Sequence, residues 1–131
     1  MTHLVTFTSS QFDVTAETPN PINPIAGEGI LIWLREKLLS VGYEVTAPEP
    51  EDWGWYVYVK DRESSYLVGA SSDLDQSGPR EWAIQIHRER SLAAKLLGRS
   101  RLVDNDAVSV RIEAFIRESS GARDVHVDRS A

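Results

Sequence analysis

The sequence predicts an α+β two-layer sandwich, a mainly antiparallel sheet of about five or six strands with two long helices and one short helix on one face. Three observations carry this expectation. Apolar residues recur at steps of three and four in two segments, 30–41 and 108–119. They alternate with a period of two in several others, and the breaks between those are short and rich in Pro, Ser, Asp and Gly. The order strand, helix, three to four strands, helices, strand also fits a ferredoxin-like arrangement with an extra strand.

The N-terminal segment reads as a strand, followed by the connector TAETPNPINP, residues 15–24, stiffened by Pro19, Pro21 and Pro24. Asn23-Pro24 suits the cap and first position of a helix that carries Ile30, Leu31, Leu34, Leu38 and Val41 and stops at Gly42. The GEG triplet at 27–29 has two readings. It could be an anion-binding helix N-terminus, but a phosphate loop would want more glycines and a lysine, so close packing of small residues on the sheet is preferred.

After Gly42 the period becomes two, with strands expected in YEVTA, WGWYVYVKD, SSYLVGAS and EWAIQIHR, separated by turns at PEPED, DRES and SSDLDQSGPR. SLAAKLLG, 91–98, reads as a short helix capped by Ser91 and ended by Gly98. DND at 104–106 caps a second long helix with Val108, Ile112, Phe115 and Ser119 on one stripe, ending at Gly121. RDVHVD closes the chain as an edge or inserted strand, Val125 and Val127 facing inward and His126 outward.

At 131 residues the chain is read as a single domain, 1–131, large enough to bury about two-thirds of its unfolded surface without disulfides or metal. It has no cysteine, which removes thiol catalysis and Cys-ligated zinc. No apolar run approaches a membrane span and the N-terminus lacks signal-peptide character, so a cytoplasmic protein away from the membrane is expected. The net charge of −6 opposes general nucleic-acid affinity. Residues 1–87 carry −8 and residues 88–131 carry +2, so an acidic body ends in a mildly basic third.

Alternation then sorts the strand residues by face. Trp53, Trp55, Val57 and Val59 are expected on the helix-facing side with Trp82, Ile84 and Ile86. Tyr56, Tyr58, Gln85 and His87 fall on the open side and are binding candidates, though tyrosine is also an ordinary strand residue. Arg88 and Arg90 head the only local basic surplus, HRERSLAAKLLGRSR, and suit a carboxylate or phosphate contact. Glu51 and Asp52 beside Trp53 could form an acidic-aromatic pocket, against the simpler reading of a solvated turn. The histidines at 3, 87 and 126 have no metal-ligand spacing and read as surface residues. With no nucleophile elbow, P-loop, dinucleotide fingerprint or metallohydrolase helix, no catalytic residue, metal or cofactor is assigned.

The expected function is a non-catalytic protein-binding or regulatory module, of inhibitor, immunity-type or accessory kind, acting on a protein partner or through self-association. The alternative is a small-molecule sensor or enzyme using a pocket near Glu51, Asp52 and Trp53.

Overall fold

The computed structural model describes residues 2–62, 64–73, 79–89 and 106–129. Eight strands form one antiparallel sheet: β1 (Thr2–Ser9), β2 (Ile25–Ala26), β3 (Glu44–Val45), β4 (Glu49–Glu51), β5 (Gly54–Asp61), β6 (Ser64–Asp73), β7 (Arg80–Glu89) and β8 (Arg123–Asp128). Two α-helices occur among the described residues, α1 (Glu28–Ser40) and α2 (Ala107–Ser119), with a 3-10 turn at Val14–Ala16. None of these helices is long and apolar enough to cross a membrane.

This corrects the expected fold class. Instead of a sandwich of five or six strands under two long helices and a short one, an eight-stranded sheet dominates, in the order β3-β5-β6-β7-β1-β8, with β2 on β6 and β4 on β5. Two segments, one read as the start of the first helix and one as a turn, supply the surplus strands. Ile25–Ala26 pairs with Asp73 and Ser72, and Glu49–Glu51 pairs with Tyr56, Trp55 and Gly54. Both are too short to show a period, so pairing with a long neighbour, not local pattern, makes them strands. The ferredoxin-like topology is also overturned. β5, β6 and β7 form a meander, and β1 lies antiparallel between β7 and β8. The short helix expected at 91–98 lies outside the described residues.

The long strands follow the sequence pattern closely. Val5 and Phe7 of β1, Trp55, Val57 and Val59 of β5, Val68 and Ala70 of β6, and Trp82, Ile84 and Ile86 of β7 are buried. They form one cluster with Ile30, Leu31, Leu34 and Leu38 of α1 and Val108, Ile112 and Ile116 of α2. β8 lies beside β1, with Val125 and Val127 against this core. His3 departs from the surface reading: it is 0 % exposed, because it shares its side of β1 with Val5 and Phe7.

α1 begins where its backbone can come close to the sheet. A Cβ on Gly27 would stand 2.4 Å from the Ala70 carbonyl oxygen, which supports the packing reading of GEG. The anion position is filled from within the chain: Glu17 Oε1 accepts from the Gly27 and Glu28 N–H groups, each at 3.0 Å. A carboxylate there complements the unpaired N–H groups and positive end of the helix.

α2 starts at Asp106, as expected from DND. One carboxylate oxygen accepts from the Ser109 N–H (3.1 Å) and the other from the Tyr66 hydroxyl (2.8 Å), with Arg88 at 4.0 Å. Burial, then the Asp106 hydrogen bond, holds the Tyr66 phenol well above the ordinary tyrosine value of 10.0. The folded chain therefore keeps this proton after the unfolded chain has released it. Its contribution to stability is complete below pH 10.0 and declines as the pH rises beyond it. Thermal melts from neutral pH to about pH 11 should show the wild type losing stability more steeply than Tyr66→Phe above the ordinary tyrosine range. Parallel curves would remove Tyr66 as the cause.

Candidate functional site

The sheet face opposite the helices carries the candidate site, and register places its residues in rows. One row runs Glu49, Tyr56, Gly69, Gln85, Leu4, Asp128 across β4, β5, β6, β7, β1 and β8. The next runs Tyr58, Leu67, His87, Thr2. Tyr56, Tyr58, Gln85 and His87 thus share the open face, as alternation predicts. Tyr58 is 41 % exposed and His87 is exposed, whereas Tyr56 and Gln85 are half-buried.

Trp53 is the correction. Alternation assigned it to the core, but it precedes β5 in the two-residue turn Asp52–Trp53, where strand alternation does not apply. Its ring lies over Gly69 on the open face: a Cβ at Gly69 would meet two atoms of the ring at 2.5 Å. Only glycine leaves that space. Gly54, at φ 150°, follows Trp53 and gives the chain the conformation that turns it away from the line of β5.

The proline-rich connector holds this turn. Asn20 donates its side-chain amide to the carbonyls of Glu51 (3.1 Å) and Gly54 (2.9 Å), and Asn23 donates to the carbonyl of Asp52 (2.7 Å). The Asn20 carbonyl oxygen in turn accepts from the N–H groups of Ile22 and Asn23. Three carbonyls flanking Trp53, those of Glu51, Asp52 and Gly54, are therefore tied down by two asparagines some 30 residues earlier in sequence. The cap expected at Asn23-Pro24 is overturned, since α1 is capped at Gly27 and Asn23 serves this turn instead, while Asn20 carries no local signal beyond the prolines beside it.

The result is an aromatic stripe. Trp53 and Tyr56 have centroids 6.4 Å apart at 40°, and Tyr56 and Tyr58 5.6 Å apart at 75°. The Tyr56 hydroxyl donates to Glu49 Oε2 at 2.8 Å, and this hydrogen bond to a carboxylate raises its pKa above the ordinary tyrosine value. Thr2 Oγ1 lies 3.2 Å from His87 Nδ1. Trp53 stands between two hollows. One, of about 140 Å³, is lined by Leu4, Trp53, Gly69, Ala70, Ser71, Ala83 and Gln85. The other, of about 420 Å³, is lined by Asn23, Ile25, Trp53, Ser71, Ser72 and Asp73.

Several predicted site residues are elsewhere. Arg88 is on the helix side, donating to Ser64 Oγ at 2.8 Å, with its guanidinium 6.0 Å from the Tyr66 ring centre. Arg90 lies outside the described residues. Glu51 accepts from the Asp52 N–H at 3.0 Å, and neither Glu51 nor Asp52 lines either of these two hollows. Among the described residues, no three His, Asp or Glu side chains converge as metal ligands would. Comparison of the chain with protein-family models, curated proteins and solved structures gives no match, and the geometry of this face is left to carry the functional reading.

Proposed function

We propose that the chain is a non-catalytic protein-binding module whose open sheet face receives a partner bearing basic groups. The observation that supports this best is the stripe Trp53, Tyr56 and Tyr58 on a face that no described element covers. Tyr and Trp give large contact area at small entropic cost and dominate interface hot spots. The charge of the face points to the partner's sign. By register the open side of the strands carries Glu44, Glu49, Glu81, Glu89 and Asp128 against Lys60 and Arg123. An acidic surplus around aromatic rings favours cationic groups, through complementary potential and ring quadrupoles.

A random peptide library selected on the immobilised protein tests this. Selected peptides should be enriched in Arg and Lys, and the double variant Trp53→Ala, Tyr58→Ala should bind them about 30-fold more weakly, the loss of at least 2 kcal/mol expected of a hot-spot pair. Selection of peptides without basic residues, or unchanged binding by the folded double variant, would sink the reading. The 420 Å³ hollow favours a small-molecule site as the second reading, with Ser71, Ser72 and Asp73 in place of Glu51 and Asp52 as its polar groups.

A further inference from the structure

We infer that the 140 Å³ hollow on the open face is an anchor pocket for one arginine side chain of the partner, a reading that rests on the protein-binding function proposed above. Its size matches the end of a single side chain, not a drug-sized ligand. Its lining includes Gly69 and Ala70, which put no side chain into it, Ser71 and Ala83, whose small side chains leave the space open, and Leu4, which offers an apolar surface to methylene groups. Trp53 borders the space, and the turn that carries it is held by the amides of Asn20 and Asn23 at the carbonyls of Glu51, Asp52 and Gly54. A pocket wall fixed in this way is pre-organised, so little ordering is left for the moment of binding.

The polar groups select the charge of the occupant. No lysine or arginine lines the hollow, while the Ser71 hydroxyl and the Gln85 amide can each accept a hydrogen bond, the amide by turning its carbonyl oxygen to where its Nε2, the atom nearest Gly69, now lies. The row through Gly69 and Gln85 carries a carboxylate residue near each end, Glu49 and Asp128. A guanidinium suits this surrounding better than an ammonium: it is planar, less strongly hydrated, can stack on an indole and can donate to several acceptors at once. A phosphate or carboxylate ligand would meet no lysine or arginine in this lining and an acidic surplus on the face around it.

The full chain, 15N-labelled, can be titrated with N-propylguanidinium and with its neutral isostere N-propylurea while the Trp53 indole N–H and the Gln85 side-chain amide are followed by NMR. The guanidinium should shift both signals saturably and bind at least about threefold more tightly than the urea, the margin of an exposed cation–π contact. Gln85→Leu, which removes the acceptor without adding bulk at Gly69, should erase most of that preference. Gly69→Ala, whose methyl would crowd Trp53 and Gln85, should abolish the shifts in both titrations. Equal binding of the urea, shifts confined to other residues, or no shift in the folded protein would overturn the pocket. Failure of the pocket and failure of the partner reading separate cleanly. Arginine-free, lysine-containing peptides that still bind through Trp53 and Tyr58 would leave the module intact without the pocket, whereas guanidinium binding with no peptide affinity would leave the pocket without the module.

Discussion

Asp106→Ala should lower the free energy of unfolding by about 3 kcal/mol, read from the midpoint of urea denaturation at unchanged slope. Three losses coincide at this residue, which is 6 % exposed. The first turn of α2 loses its side-chain cap, worth about 1 kcal/mol. The Tyr66 hydroxyl, on a residue 3 % exposed, is left without its acceptor, at a cost of about 1–3 kcal/mol. Arg88 loses the carboxylate 4.0 Å away, although its partial exposure makes this the smallest contribution. Asp106→Asn keeps both cap and acceptor and should cost about 1 kcal/mol or less. If the alanine variant fell within about 0.5 kcal/mol of wild type, as an ordinary surface change does, Asp106 would not be what joins β6, β7 and α2.

The two glycines of GEG should respond in opposite directions. Gly27→Ala would set a methyl 2.4 Å from the Ala70 carbonyl oxygen and 3.0 Å from its carbon, both backbone atoms within the sheet. α1 would have to lift from β6, and a loss of about 2–4 kcal/mol is expected, at or above the usual range for overpacking. The methyl of Gly29→Ala would meet only the Glu17 side chain, nearest at 3.3 Å, which can give way. Alanine is the better helix former by about 1 kcal/mol, so Gly29→Ala should leave the melting temperature unchanged or raise it. A destabilisation of Gly29→Ala as large as that of Gly27→Ala would show that close approach to the Ala70 backbone is not what sets the cost of a methyl in this turn.

Most of the sheet was legible because its long strands are one-sided. Burying one face of β5, β6 and β7 forces apolar residues to every second position, and that period sorted Tyr56, Tyr58, Gln85 and His87 correctly onto the other face. The second helix was equally legible, since an acid at its cap and a stripe at steps of three and four are both local signals. Trp53 was misplaced by the same rule, extended one residue past the end of β5. β2 and β4 were missed because strands of two or three residues are made by their neighbours. His3 looked like a surface residue because imidazole is polar, yet its position in the alternation of β1 placed it inward.

The sequence by itself determined most of what the long strands and α1 bury, because hydrophobic period is a property of neighbours along the chain. In α2 it placed Val108 and Ile112 but not Ile116, which is buried where the expected Phe115 and Ser119 are half-buried. It also determined the acidic balance and the absence of thiol chemistry. The tertiary structure alone decided the strand order, the strand character of 25–26 and 49–51, and the composition of the site. Trp53 reaches the open face because Asn20 and Asn23 hold its turn and Gly69, on a neighbouring strand, leaves room for its ring. Those contacts join residues far apart in sequence, where no local pattern records the space or the hydrogen bond that each supplies to another.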